Sequence, residues 1–153
     1  MSEVLTKKEE AMNYFLQGYN CTQSILMAFK EYIPEESFED IMKLGCSFGG
    51  GMSRLREVCG SVSGIIMVCS LIYGYTGPET GDVKAAQYAR TQELAKAFEE
   101  RNGSIVCREL LGLSEKKQAP TPEARTEAYY KKRPCKELIG DAAEILEEYL
   151  KGI

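Results

Sequence analysis

The sequence predicts an all-α protein, a compact bundle of about seven helices in a single domain spanning residues 1–153. Three observations carry that reading. Apolar residues recur at three- and four-residue spacing, no stretch alternates with the period of two that a strand requires, and Gly, Pro and capping residues break the chain at helical lengths.

Leu5 to Leu16 carries Leu5, Met12, Phe15 and Leu16 at helical spacing, with Gly18 as the C-cap. Asn20 caps a second helix with Ile25, Leu26, Phe29 and Ile33 as its apolar stripe, and Pro34 stops it. A third runs from Glu35 to Leu44, with Gly45 just beyond. After a glycine-rich stretch, an apolar helix extends from Cys59 or Gly60 to Tyr73. Gly77-Pro78 breaks the chain. Asp82 then caps a long helix to Arg101, striped by Ala85, Ala89, Leu94, Ala97 and Phe98 and ended by Asn102-Gly103. A short helix around Ser104 to Leu111 precedes a polar loop, Ser114 to Ala119. Thr121-Pro122-Glu123 has the form of a helix start, and Pro134 introduces the last helix, Cys135 to Lys151.

A hydrophobic fraction of 44% and a charged fraction of 27% are those of a soluble globular chain. The net charge of −4 argues against a nucleic-acid partner, because phosphate binding needs clustered Lys and Arg. Lys131, Lys132 and Arg133 read as a solvated helix end, and Arg54, Arg56 and Glu57 as solvated loop charges. The N-terminal residues lack the continuous apolar core of a secretion signal. The most apolar stretch, Val62 to Tyr75, is shorter than the ~20 residues that span a bilayer. The expectation is a cytoplasmic protein with no membrane span, whose thiols stay reduced.

Histidine is absent, which excludes His-ligated zinc or haem, Cys–His nucleophile pairs and Ser–His–Asp triads. Gly49-Gly50-Gly51 follows no strand and lacks the phosphate-loop pattern, so no nucleotide site is expected. The chemistry that remains belongs to six cysteines. Cys21 follows the cap Asn20, Cys59 precedes Gly60, Cys107 lies in the short helix, and Cys135 follows Pro134. At least three of these four fall in the first turn of a helix. Free N–H groups and the positive dipole end favour an anion there, so their thiol pKa is expected to drop toward neutrality. Cys69 reads as a small core residue, whereas Cys46, beside the glycine loop, is open to either a packing or a site role.

Four ordered blocks extend this reading: GYNCTQSIL around Cys21, FGGGMSRLREVCGSVSG around Cys59, NGSIVCRELLG around Cys107 and RPCKELIGDAAEILEEYL around Cys135. Together they resemble a family of small proteins described as redox-active and named for a C…GCAxxG…C…C pattern. Gly45-Cys46-Ser47-Phe48-Gly49-Gly50 fits G-C-A-x-x-G literally with Ser for Ala, and Cys59-Gly60-Ser61-Val62-Ser63-Gly64 fits the C-G-A-x-x-G form, also with Ser for Ala. The second sits better among the glycine loop and the apolar helix. The resemblance implies a small helical redox protein, often encoded near transporters, with no assigned reaction. The pattern is also similar to the non-haem part of split-Soret-type cytochromes, which holds an iron–sulfur cluster. This chain lacks haem-binding residues, so only the cluster carries over.

The expectation is therefore electron transfer through an iron–sulfur cluster held by Cys21, Cys59, Cys107 and Cys135. Gly60 and Gly64 would allow close backbone approach, and Cys46 is an additional candidate at the site. Metal-free thiol–disulfide exchange by the same cysteines is the alternative, followed by a structural zinc site made of the four thiolates. The redox partner is not identifiable from sequence, a transporter-associated system is one setting, and the oligomeric state, homodimer included, stays open.

Overall fold

The computed structural model describes residues 4–114 and 118–152. Among them lie α1 (Lys7–Leu16), α2 (Cys21–Ala28), α3 (Phe38–Gly45), α4 (Gly49–Ser53), α5 (Gly60–Tyr73), α6 (Gly81–Asn102), α7 (Cys107–Leu110), α8 (Glu127–Lys132) and α9 (Cys135–Lys151). The architecture is all-α, as the periodicity predicts.

Local chemistry sets the first two boundaries. Thr6 and Glu9 form a reciprocal capping box at α1, and Asn20 and Gln23 do the same at α2. Ile33 reaches the core from a 3-10 turn, Lys30–Tyr32, rather than from a continued α2. In α1 the buried residues are Ala11 and Phe15, while Leu16 faces outward, as does Leu5 just before the helix. α9 buries Leu138, Ile139, Ala142, Ala143, Ile145 and Leu146 along one face. That stripe packs on α1, and α5 packs on α2. Phe15, Ile25, Phe29, Val62, Ile65, Leu94, Phe98 and Ile139 fill the space between these helices.

Three sequence expectations need correction. α6 is capped by Thr80, with Asp82 inside its first turn, and its Ala85 and Ala89 are exposed. Only Gln87, Leu94 and Phe98 are buried there, because the first turns of α6 have no covering element among the described residues. The helix foreseen at Thr121 begins instead at Glu127, capped by Thr126 Oγ1. Residues 118–126 run non-helically because their polar groups bond elsewhere: Arg54 Nε donates to Ala119 O, and Arg125 donates to Phe15 O and Tyr19 O. Lastly, Arg133 is 7% exposed and ion-paired with Glu123, so only Lys131 and Lys132 form a solvated helix end. The polar loop expected at Ser114 to Ala119 falls partly on 115–117, outside the described residues.

No helix among the described residues is long and apolar enough to cross a membrane.

Candidate functional site

Two loops distant in sequence bring the first pair of cysteines together. Val58 and Val106 form an isolated antiparallel bridge. On either side of it, Cys59 N–H donates to Ile105 O at 2.7 Å and Cys107 N–H to Glu57 O at 2.6 Å. Cys59 is thereby the N-cap of α5 and Cys107 the first residue of α7. The start of α2 is pinned to the start of α5 by a buried bond from Thr22 Oγ1 to Gly60 O, 2.7 Å. A Cβ at Gly60 would stand 3.0 Å from Cys21 Cβ, so the missing side chain lets these two helix ends meet. Cys135, first in α9, joins Cys21 on the lining of the same cavity, close enough for each thiol to shift the other.

α4 shapes the adjoining wall. Gly50, Gly51, Met52, Ser53 and Arg54 all have positive φ, and so does Arg56. A non-glycine residue held there costs about 1–3 kcal/mol. The bonds Arg54 N–H to Gly50 O (3.0 Å), Glu57 N–H to Gly51 O (2.9 Å) and Ser53 Oγ to Ser47 O (2.9 Å) hold the turn. Gly51 is the position that admits no alternative. Its φ is +64°, and a Cβ there would lie 2.6 Å from Cys107 Cβ. Gly50 lines the cavity beside Cys21.

The result is a cavity of about 420 Å³ lined by Cys21, Cys59, Cys107 and Cys135, with exposed Cys46 also on its lining. Residues 118–126 cross it as a strap that contributes Pro120, Pro122, Glu123 and Arg125 to the wall. The Arg125 guanidinium, 4.1 Å above the Phe15 ring, ties the strap to the end of α1.

The thiols are electrostatically unequal. The Cys21–Cys135 interaction pulls the Cys135 thiol below its ordinary range and pushes Cys21 well above it, with burial adding to the rise. Burial lifts Cys59 to about 12, against hydrogen bonds from Ser61, whose Oγ is 3.0 Å from the sulfur. Burial also raises Cys107, against the Arg56 guanidinium. The expected fall at every helix start thus occurs only at Cys135. Desolvation dominates at Cys59 and Cys107, because it acts on the whole charge, whereas at Cys21 the Cys135 thiol leads the rise. Tyr129, at the same wall, is pushed to about 12 by burial and by Cys135 and Cys21.

All four cysteines singled out in the sequence line this one cavity, and Gly60 lines it with them. Gly64 does not; a Cβ there would meet Ile25 Cβ at 2.8 Å, so the close approach it permits is that of α2. Cys69 is fully buried in the core. Sequence reasoning missed Arg56, Arg125 and Tyr129 on the lining. Arg56, read as a solvated charge, is only 4% exposed. Its place four residues before the helix start at Gly60, on the strand-like side of Cys59, was the available signal; nothing marked Arg125. Among the described residues, no three Cys, Asp or Glu side chains gather as a single-ion metal site.

The family model described as "Putative redox-active protein (C_GCAxxG_C_C)" matches residues 19–149. An "Uncharacterized protein" of Archaeoglobus fulgidus is 27% identical over 160 residues, covering 99% of this chain and 97% of that protein. No solved structure matches. With the model spanning all four cysteine blocks, the chain belongs to this redox-active family.

Proposed function

We propose that this member of the redox-active cysteine family is an electron carrier whose Cys21, Cys59, Cys107 and Cys135 hold an iron–sulfur cluster. One observation carries the reading. Four cysteines from four separate segments line one cavity. A tetrahedral zinc site built from four thiolates draws its sulfurs to within ~2.3 Å of one ion. A polynuclear cluster spreads four thiolates over several irons and needs room between them, which a cavity of about 420 Å³ supplies.

The donor set fits such a group: four sulfurs, Arg56 donating to the Cys107 sulfur, and Arg125 on the same lining. The cluster would supply one-electron chemistry. Around it, the cysteines bind, Gly60 and Gly51 keep the wall thin, and the 118–126 strap with Tyr129 and Leu138 limits water. Exclusion of water and N–H donors to sulfur are the means by which a protein sets a cluster's potential.

Anaerobic reconstitution with ferrous iron and sulfide tests the proposal. Visible charge-transfer absorption, stoichiometric iron and sulfide, and their loss in Cys59→Ser are expected. A colourless protein that takes up zinc but neither iron nor sulfide would overturn it.

The Cys21–Cys135 pair, both on the cavity lining with the Cys135 thiol lowered beside Cys21, favours a second reading, dithiol exchange. The Cys135 thiolate would attack one sulfur of an external disulfide and expel the other as a thiolate. Cys21, losing its proton, would then displace the second thiolate from the mixed disulfide. The external disulfide is reduced to two thiols as Cys21–Cys135 is oxidised. Thiol titration before and after reductant separates this from the cluster: a loss of two thiols in an iron-free protein supports exchange.

A further inference from the structure

Arg56 is a buried cation facing the cavity. It is 4% exposed, and its two side-chain partners are the Cys107 sulfur, 3.5 Å from Nη1, and Gln118 Oε1, 2.9 Å from Nε. Neither is a carboxylate. Arg133, the other buried arginine, is ion-paired with Glu123. Among the described residues Arg56 has no such pair. The backbone fixes it in this position. Its φ is +60°, and its carbonyl accepts both the Arg108 N–H (3.2 Å) and Arg108 Nη1 (3.4 Å).

A guanidinium keeps its charge, and a buried charge without an opposite one is strongly unfavourable. A thiol and an amide do not neutralise it. The cavity that Arg56 lines is where a ligand of opposite charge can supply the counter-charge.

We propose that Arg56 is the counter-cation of the redox centre, a positioning residue that offsets negative charge on the cysteine-held group and thereby favours its more reduced state. The inference rests on the cluster reading above. A thiolate-bound cluster is the anionic class of ligand that fits, and one electron from a one-electron donor adds a further negative charge, with no bond made or broken and no proton moved. A fixed cation at the sulfur stabilises that product over its precursor, so the potential rises.

Wild type, Arg56→Lys and Arg56→Gln, each reconstituted with iron and sulfide and titrated with dithionite, test this. The reduction equilibrium constant of Arg56→Gln is expected to fall tenfold or more, about 59 mV more negative for each tenfold step in a one-electron couple. Arg56→Lys is expected to stay nearer wild type. Before loading, Arg56→Gln should melt no lower than unloaded wild type, because it removes an uncompensated charge; a purely structural arginine would give the opposite. If Arg56→Gln takes up no iron while Arg56→Lys does, the charge requirement is supported. An unchanged potential in a fully loaded Arg56→Gln, a large drop in its unloaded melting temperature, or failure of both variants to load while wild type loads would each overturn the inference. If wild type itself takes up no iron, the cluster reading fails and this inference with it, so iron content tells the two failures apart.

Discussion

Cys59 and Cys69 lie on the same helix and are both buried, at 6% and 0% exposure, yet they occupy different chemistry. Cys59, at the N-cap of α5, has Ser61 Oγ 3.0 Å from its sulfur and Cys21 and Cys107 close enough to perturb it. Cys69 sits in the body of the helix, its thiol raised by burial alone, with Arg90 and Gln87 opposing the rise. The α-helix explains the difference. In its interior the backbone bonds are internal, and a side chain meets only packed side chains. At its start, free N–H groups and an arriving chain segment let loops gather. The starts of α2, α5, α7 and α9 form one wall, whereas the end of α5 and the beginning of α6 form ordinary packing and exposed surface.

The contrast is broken most directly by paired substitutions. Cys59→Ser and Cys135→Ser should each abolish stoichiometric iron and sulfide uptake, while Cys69→Ala should leave it intact. Equal losses in all three would show that the two ends of α5 do not differ in kind. The next largest effect is on folding. Gly51→Ala forces a side chain onto a backbone at φ +64° and against Cys107 Cβ at 2.6 Å. A loss of about 3 kcal/mol, from steric overlap plus strain, is expected in denaturant melts. Gly77 has nothing within 4 Å of an added Cβ and no positive φ. Gly77→Ala should therefore stay within about 0.5 kcal/mol of wild type.

The two regions were unequally legible. The bundle, most helix ends and the four wall cysteines follow from local rules, since capping at Thr6 and Asn20 and the α9 stripe are written within a few residues. The pairing of 57–59 with 105–107 was not legible, because it is a single bridge between loops with no repeating pattern. Arg125 was invisible for the same reason, and Arg56 was marked only by its place just before Cys59. Whether a loop arginine is solvated or buried depends on what the fold lays over it, and here residues 118–126 do so through side-chain bonds that periodicity cannot report. α6 erred in the other direction: Ala85 and Ala89 keep helical spacing but meet no partner among the described residues.

The smallest effect, and the most direct measure of the contrast, is the pH dependence of the metal-free protein. Burial raises Cys59 to about 12, against an unfolded thiol near ~8.5. The folded state therefore favours the neutral thiol. That contribution is fully present below the unfolded value and is lost as pH rises from there through about 12. Cys21 and Cys107 act in the same direction. Cys135, whose thiol is lowered, acts in reverse: its contribution is present above the unfolded value and is lost as pH falls through the folded one. With three wall thiols raised and one lowered, stability should fall between about pH 8.5 and 10.5, by up to about 1.4 kcal/mol per pH unit for each fully titrating group. Urea melts across that range should show a flatter slope in Cys59→Ala. Cys69 is also raised, but Arg90 and Gln87 oppose its burial, so Cys69→Ala should flatten the slope less. If the two variants flatten it equally, burial alone governs these thiols, and the crowding of sulfurs at the start of α5 adds nothing to Cys59.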